Sequence, residues 1–223
     1  MASGQIPFLR RLGTADADAL VARARRRTVA KSDLILHAGS AGDDIVVVLS
    51  GRVKLVAQGA GQREVVLAMR GPGELIGEMA ALGSMRRTAT AVAVDEVEVG
   101  YIRAEELRSF LEEHPAASTV LMRMVIRRWA EADRDRIDLA TQDSVGRLAK
   151  RLLELAAEHG APAEVGIRIG LSLSQDELAS WTGATRETVS RALRLMRQLG
   201  WVTTEQRAIT ILDAAALRER CGA

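Results

Sequence analysis

The pattern of apolar and polar positions divides the chain into three stretches. Residues 16–27 are rich in alanine and arginine, which predicts a short helix near the start. Residues 29–102 contain short aliphatic runs separated by glycines, which is typical of strands and turns. After residue 102, apolar positions recur mainly at three- and four-residue steps, which predicts helices.

The glycine-punctuated stretch predicts a compact antiparallel roll or barrel. Many short strands with regular breaks are typical of that architecture. The predicted strands are residues 45–49, 52–56, 63–69 and 92–102.

A long helix is predicted in the middle of the chain. A first helix over residues 104–113 should end before Pro115, and a second should continue to about residue 142. Its 27 or so residues would extend roughly 40 Å, which is longer than a small roll can cover. We therefore expect its seam to hold a two-fold dimer; the alternative is a helix packed along both domains of one chain. The seam residues are Leu121, Val125, Trp129, Ala132 and Leu139.

The last third of the chain predicts a helix-turn-helix with flanking strands. Ser174 and Glu177 have the spacing of a capping box, and Gly183 suits a tight turn between two helices. A helix over 143–159 and a strand over 165–169 should precede this pair. Residues 201–204 and 209–212 should follow it as a hairpin or wing.

The second helix of this pair carries a polar face. Forked guanidinium groups suit guanine and a carboxylate suits cytosine in the major groove of DNA. Arg186, Glu187 and Arg191 lie at spacings that share one helix face. The pattern indicates a DNA-reading helix; the alternative is a helical hairpin with a solvated charged face. The candidate DNA contacts are Ser174, Gln175, Thr185, Arg186, Glu187, Ser190, Arg191 and Arg194.

Charge is consistent with a specific DNA reader. The formal net charge of the 223 residues is +2, and residues 143–223 carry 11 Lys and Arg against 10 Asp and Glu. Basicity is concentrated locally at Arg186, Arg191, Arg194 and Arg197. This pattern favours sequence-specific binding over nonspecific electrostatic binding.

The residue content argues against metal, redox and membrane functions. Cys221 is the one cysteine, which excludes an intramolecular disulfide, a four-cysteine iron–sulfur cluster and a thiolate zinc site. His37, His114 and His159 do not cluster, so we expect neither a metal nor a haem. No signal-peptide core or run of 18 apolar residues is found, which favours a cytoplasmic protein without membrane contact.

Residues 73–82, followed by Arg87 and Thr88, resemble the phosphate-binding cassette of cyclic-nucleotide-binding domains. The order of roll, cassette, long helix, helix-turn-helix and wing resembles the CRP/FNR transcription factors across nearly the whole chain. The resemblance implies an α+β fold with three parts. These are a β-roll sensor domain over 1–114, a dimerisation helix over 115–142 and a winged helix-turn-helix domain over 143–223.

The resemblance also assigns candidate ligand contacts. Arg87 and Thr88 would hold the phosphate by charge-assisted and hydroxyl hydrogen bonds, with backbone amides after Gly77 completing the site. Glu78 would hold the ribose 2′-hydroxyl, and Met79 lies beside it in the cassette. The alternative is a surface loop with merely solvated arginines.

The base-reading positions depart from the family pattern. Arg128 matches an arginine that reaches the ligand in the family's cyclic AMP sensor. The next two matched positions usually carry Thr with Ser or Asn, but here they are Ala132 and Asp133. Ala132 offers no hydrogen bond, and ionised Asp133 only accepts, which suits the two adjacent donors of guanine. The resemblance implies cyclic AMP as the first candidate ligand. Asp133 makes cyclic GMP a close second, and an empty or divergent pocket is left open.

These features together predict a homodimeric, ligand-gated transcription regulator. By resemblance, its partners would be a near-palindromic DNA with TGTGA-like half-sites and RNA polymerase. A regulator that is ligand-independent or answers another effector is the alternative. A cyclic-nucleotide hydrolase is a remote one, because the sequence shows no metal cluster, nucleophile elbow or P-loop. We therefore expect no enzyme activity.

Overall fold

The structure, a computed structural model, describes residues 6–59, 64–171, 174–205 and 208–222. The described chain divides into two compact units, one over residues 6–130 (the first unit) and one that begins at residue 131 (the second unit). The division falls inside one long helix, between Ala130 and Glu131. This point lies within the dimerisation segment that the sequence predicts over residues 115–142.

The first unit is a β-roll flanked by helices. Its described strands form two four-stranded antiparallel sheets, ordered β1-β8-β3-β6 and β2-β7-β4-β5. In chain order the elements are α1 (Phe8–Arg11), α2 (Thr14–Ala22), β1 (Arg25–Val29), β2 (Leu34–Leu36), β3 (Asp44–Ser50), β4 (Val53–Gln58), β5 (Glu64–Arg70), β6 (Leu75–Ile76), α3 (Glu78–Gly83), β7 (Thr90–Ala93), β8 (Val97–Arg103), α4 (Ala104–Glu113) and the start of α5 (Pro115–Thr141).

The unbroken apolar run in β3 is explained by burial on both of its faces. Val46 and Val48 point into a core that also contains Val53 and Val99. The alternate positions, Ile45 and Val47, point into a second core, which also contains α4 and the first turns of α5. Since side chains alternate along a strand, only a doubly covered strand buries four in succession. β3 therefore joins the two cores of this unit. The members of the second core on α4 and α5 are Ala104, Leu107, Phe110, Ala117, Leu121 and Met124.

The second unit holds the end of α5 and a small helical domain with a sheet. Its sheet has the order β11-β12-β10-β9, and its core brings the helices together around fully buried Met196 and Leu152. The elements are α6 (Ser144–His159), β9 (Gly160–Pro162), β10 (Ile167–Ile169), α7 (Gln175–Thr182), α8 (Arg186–Gln198), β11 (Val202–Glu205), β12 (Ala208–Ile211) and α9 (Ala214–Cys221).

The predicted α+β architecture is confirmed, but two local predictions are wrong and one helix was not predicted. The helix predicted over 16–27 ends at Ala22, because Arg25–Val29 pairs with β8 instead. The single strand predicted over 92–102 is two strands, one in each sheet of the roll. Helix α9 has no counterpart among the predictions, although Asp213 caps it by accepting from the amide of Ala216 at 2.9 Å. Arg63, the first residue of the third predicted strand, lies outside the described residues.

In the parts of the chain that the structure describes, no helix combines the length and apolar character needed to cross a membrane.

Candidate ligand and DNA-binding sites

The predicted cassette contains a left-handed turn between β6 and α3. Gly77 has φ +88°, and a β-carbon built on it would lie 2.5 Å from Nη1 of Arg87. Glycine is the one residue that takes this φ at no steric cost and also leaves that space empty. The turn therefore fits around the Arg87 guanidinium.

Arg87 is a buried cation with an unused donor. Its side chain lies in the first unit, and the residue is 8% exposed. Nη2 donates to the carbonyl oxygen of Asp44 at 2.7 Å, whereas Nη1 is buried and meets no hydrogen-bond acceptor within the described chain. Burial lowers the pKa of Arg87, against the raising effect of the Asp44 and Asp43 carboxylates. An arginine nevertheless stays charged in proteins. The space around the Arg87 guanidinium, which we call the cradle, is therefore cationic.

Glu78 and Arg128 form a second part of the cassette. Glu78 is 5% exposed and accepts from Nη1 of Arg128 at 2.8 Å. Nη2 of Arg128 donates to the carbonyl oxygen of Leu75 at 2.9 Å, and Glu74 lies 3.7 Å from the same nitrogen. The structure thus brings together Gly77, Glu78, Arg87 and Arg128, all of them predicted ligand contacts.

The other predicted ligand contacts are differently placed. Met79 and Thr88 belong to the cassette segment and are exposed. Asp133 belongs to the second unit, is exposed, and accepts from Nη1 of Arg136 at 2.8 Å. Its role toward a base remains a prediction. Sequence reasoning missed Asp44 and Leu75, which contribute backbone carbonyls and so leave no signal in residue type.

The helix-turn-helix has the predicted caps and turn. The Ser174 hydroxyl accepts from the Glu177 amide at 3.1 Å, and the Glu177 carboxylate accepts from the Ser174 amide at 2.8 Å, which confirms the capping box. Gly183 ends α7 with φ +61°, as predicted for the turn. The Thr185 hydroxyl caps α8 by accepting from the Thr188 amide at 3.2 Å.

Helix α8 is strongly two-sided. Its apolar side is buried in the core of the second unit, at Val189, Ala192, Leu193 and Met196. Arg186, Glu187, Arg191 and Arg194 are exposed, and Ser190 is half-buried. The predicted DNA contacts on this helix therefore share a surface that the core does not need.

Glu187 is held in its acceptor form. A hydrogen bond from its own backbone amide, helped by one from the Thr185 hydroxyl, lowers the pKa of this carboxyl. Arg186 lies 3.7 Å from Asp176, but both side chains are well exposed, so this ion pair is weak. Both residues therefore remain available to a DNA base.

The predicted dimer seam divides into buried and exposed members. Leu121 is 5% exposed because its own core covers it, which leaves little surface for a partner. Val125, Trp129, Ala132 and Leu139 are exposed. Three further apolar side chains are exposed on α5 outside the predicted seam: Met122, Ile126 and Ile137.

The histidines have structural partners. Nδ1 of His114 lies 2.9 Å from a carboxylate oxygen of Asp16, and its ring stacks on Phe110. Nδ1 of His37 lies 2.6 Å from the carbonyl oxygen of Ala38. Across the described ranges, no three His, Cys, Asp or Glu side chains are grouped as a metal site would need.

Two known protein families match different parts of the chain, one in the roll and one in the helix-turn-helix region. A family described as the cyclic nucleotide-binding domain matches residues 26–114, and one described as the Crp-like helix-turn-helix domain matches residues 146–220. The solved structure of a c-di-GMP-responsive global regulator of Xanthomonas campestris matches with a TM-score of 0.80 at 23% identity. It covers 89% of this chain and 99% of that one, which shows the shared fold.

Curated relatives match over most of the chain. A CRP-like cAMP-activated global transcriptional regulator of Mycobacterium tuberculosis is 33% identical over 182 residues, covering 82% of this chain and 81% of that protein. The cyclic AMP receptor protein of Thermus thermophilus is 30% identical over 213 residues, covering 96% and 95%. The chain belongs to the CRP/FNR family of DNA-binding transcription regulators, which are not enzymes.

Proposed function

We propose that this regulator works as a homodimer whose affinity for a specific DNA sequence is set by a cyclic purine nucleotide. The observation that carries the proposal is the buried guanidinium of Arg87, whose Nη1 has no acceptor among the described residues. A buried, unsatisfied donor costs about 1–3 kcal/mol, and a phosphate oxygen in the cradle would remove that cost. The names of the relatives from M. tuberculosis and T. thermophilus favour cyclic AMP as the first ligand, with cyclic GMP a close second.

The cassette can hold a phosphate and a ribose at once. Arg87 and the exposed hydroxyl of Thr88 take the phosphate, with backbone amides near Gly77 and Met79 completing the contacts. Glu78 takes the ribose hydroxyl. Its bond to Arg128 does not prevent this, because a carboxylate offers about four acceptor positions.

The choice of base depends on the second half of α5. Ala132 has no polar group, so an adenine contact at that position is absent. The exposed Asp133 carboxylate can accept from two adjacent donors of guanine, and its contact with the exposed Arg136 is weak. Asp133 therefore keeps cyclic GMP as a candidate. Asp133→Ser should move the preference toward cyclic AMP; an unchanged preference would show that Asp133 does not read the base.

The dimer interface we propose is the exposed apolar surface of α5. Val125 and Trp129 are 37% and 67% exposed, and neighbouring Met122 and Ile126 are more than half exposed. A contiguous apolar surface of this kind marks an association site. A second copy of the same helix fits it, in a parallel two-fold arrangement.

The DNA-reading residues follow from the exposed face of α8. We assign Arg186 and Arg191 to guanines and Glu187 to a cytosine in TGTGA-like half-sites, which lie about 34–36 Å apart. The protein would act in the cytoplasm, with RNA polymerase as a further partner. The remaining contacts, to phosphates or bases, are Ser174, Gln175, Thr185, Ser190 and Arg194.

Arg128 gives the ligand a route to the dimer helix. It lies on α5 and is bonded to Glu78 and to the carbonyl oxygen of Leu75 in the cassette. A ligand that contacts both Glu78 and α5 favours one arrangement of that helix, and such differential affinity is what shifts a population. Coupling of about 1–3 kcal/mol would change DNA affinity roughly 5- to 150-fold.

The test is DNA affinity of the wild type with and without each cyclic nucleotide at fixed salt. We expect at least one of them to tighten binding within that range. Arg87→Ala should abolish the effect and leave the dimer intact, whereas Arg86→Ala, its exposed neighbour, should retain it. A change below about twofold with every nucleotide would contradict the ligand-gated proposal.

A second candidate is a regulator that does not need a cyclic nucleotide. Two observations favour it: Ala132 removes a base contact, and Glu78 is already neutralised by Arg128. Calorimetric titration with cyclic AMP, cyclic GMP and cyclic di-GMP separates the two. Absence of binding to all three, with high DNA affinity retained, would favour this candidate.

A further inference from the structure

A pocket lies in the first unit beside α3, and the end of the cassette segment, at Ala80 and Ala81, forms part of its lining. Its volume is about 530 Å³, within the usual range for small-molecule sites. Its floor is formed by small residues of low exposure: Gly42, Ala80, Ala81 and Ala104. None of the four residues that the cassette brings together lines it.

The floor is closed by a direct approach of two backbones. A β-carbon on Gly42 would lie 2.4 Å from the carbonyl carbon of Ala80, so this loop packs directly on α3. At the edge, Ser84 ends α3 with φ +50°, a left-handed conformation that is uncommon outside glycine. The pocket is therefore a built feature of the fold.

Three arginines stand around this floor. They come from separate segments: Arg86 follows α3, Arg103 precedes α4 and Arg108 lies within α4. Asp43 and Glu105 are the acidic residues of the lining, so its formal charge is +1. The pocket is cationic and has three arginines, whereas the structure brings two, Arg87 and Arg128, to the cassette.

Two of these arginines are positioned without being neutralised. Nη1 of Arg86 donates to the carbonyl oxygen of Gly39 at 2.7 Å, and Nη2 of Arg108 donates to that of Ala81 at 2.7 Å. A backbone carbonyl orients a guanidinium but carries no net charge. A guanidinium has five donors in all, so most of them remain for an anion.

The third arginine is paired, but weakly. Nε of Arg103 lies 2.8 Å from a carboxylate oxygen of Glu105, and both side chains are 69% exposed. Exposed pairs of this kind contribute about 0–1 kcal/mol. A doubly charged anion would therefore compete successfully for Arg103.

We propose that this pocket binds a small phosphate monoester, with the phosphate held by the three arginines and the remainder of the molecule against the alanine floor. A phosphate monoester carries a charge of about −1.5 to −2 near neutral pH, whereas a cyclic phosphate carries one negative charge. Several guanidinium groups around one pocket match the monoester better, because each can form forked hydrogen bonds with its oxygens. The proposal holds whether or not the cassette binds a cyclic nucleotide.

Calorimetric titration of the full chain with glycerol 3-phosphate tests the proposal, with glycerol as the uncharged control at fixed ionic strength. We expect saturable binding of glycerol 3-phosphate and none of glycerol. A chain carrying both Arg86→Gln and Arg103→Gln should bind at least tenfold more weakly. Arg10→Gln, which removes an exposed arginine of the same unit away from the pocket, should bind like the wild type.

Two further variants locate the site. Glu105→Gln removes a negative charge beside Arg103 and should tighten binding several-fold, a gain that misfolding would not produce. Arg87→Gln removes the cassette cation that is proposed to hold the cyclic phosphate, and it should leave binding of glycerol 3-phosphate in this pocket unchanged.

Absence of saturable binding at millimolar concentration would overturn the proposal. Loss of binding in Arg87→Gln with retention in the double variant would place the phosphate in the cassette instead. Equal weakening by Arg10→Gln would reduce the effect to nonspecific charge attraction, and would also overturn it.

Discussion

Replacing Gly77 with alanine tests how closely the turn before α3 fits around Arg87. The new β-carbon would lie 2.5 Å from Nη1 of Arg87 and 3.2 Å from Cδ1 of Leu36. Comfortable contacts between such heavy atoms need about 3.5 Å. Arg87 must therefore move by roughly 1 Å, and its hydrogen bond to the carbonyl oxygen of Asp44 is the contact at risk.

The expected loss of stability has two parts. Holding a residue with a β-carbon at φ +88° costs about 1–2 kcal/mol. A hydrogen bond from a charged donor contributes about 1.5–3 kcal/mol, which sets the upper limit for displacing Arg87. Gly77→Ala should therefore lower the free energy of unfolding of the first unit by more than the backbone cost alone and by at most about 5 kcal/mol.

Gly39 offers a matched control within the same unit. It has φ +80°, and no atom lies within 4 Å of a β-carbon built there. Gly39→Ala should therefore show the backbone cost alone, about 1–2 kcal/mol, and should retain ligand binding. The difference between the two variants isolates the displacement of Arg87.

Hydrogen exchange of the β3 amides measures the stability of this unit separately from the other. Calorimetry with cyclic AMP and cyclic GMP measures the affinity of the cassette for each nucleotide. Gly77→Ala should weaken the binding of whichever nucleotide the wild type binds, and Gly39→Ala should not. Equal stability losses and equal nucleotide affinities in the two variants would refute the idea that Gly77 positions Arg87.

Three other predictions concern DNA, assembly and pH. Arg186→Ala should weaken the free energy of DNA binding by about 1–3 kcal/mol and relax specificity at one base pair, as measured by competition with single-base operator variants. Equal weakening for all sequences would show that Arg186 contacts a phosphate instead. Val125→Glu should dissociate the dimer, because two carboxylates would meet in an apolar seam, and light scattering measures the loss of mass. The control Arg123→Gln makes the same change in charge about 200° around the helix and should leave the dimer intact. Asp143→Ala should destabilise the second unit by about 0.5–2 kcal/mol at pH 7, because Asp143 caps α6. The hydrogen bond from the Gly146 amide lowers the pKa of Asp143 below its ordinary value of 3.8. Urea unfolding should therefore show the stability difference between wild type and Asp143→Ala above pH 3.8, and the difference should disappear as the pH falls through the folded-state pKa. A stability difference that persists at lower pH would contradict the cap assignment.

Helix boundaries could be predicted where one residue carries a start or stop signal. α4 spans the predicted residues 104–113 because Pro115 prevents its continuation. α6 begins where predicted because Asp143 accepts from the Gly146 amide at 2.8 Å. Such signals are local, so the sequence alone contains them.

The errors arise where a distant segment decides the structure. Arginines 25–27 have good helix propensity, but their backbone pairs with β8 through Arg25↔Tyr101 and the following residues. Similarly, the run over 92–102 breaks because Asp95 accepts from the Arg52 amide at 2.7 Å. Neither partner can be recognised from the residues that it redirects.

The candidate sites show the same division. Arg87 and Gly77 could be predicted from their residue types, but the carbonyl of Asp44 that orients Arg87 could not, since every residue has one. Leu121 and Val125 have the same helical periodicity in the sequence. Only the fold shows that Leu121 faces its own core while Val125 is left exposed.

The position of the one cysteine allows chemical labelling to measure a local opening of the second unit. Cys221 lies at the end of α9, is 7% exposed and belongs to the core of the second unit. A thiol reagent can reach its sulfur only when α9 separates from that core. The rate of alkylation then equals the intrinsic thiol reactivity multiplied by the equilibrium constant for this local opening. Because the chain has no other thiol, pulse labelling of the unmodified protein would report this opening at one residue, with and without DNA.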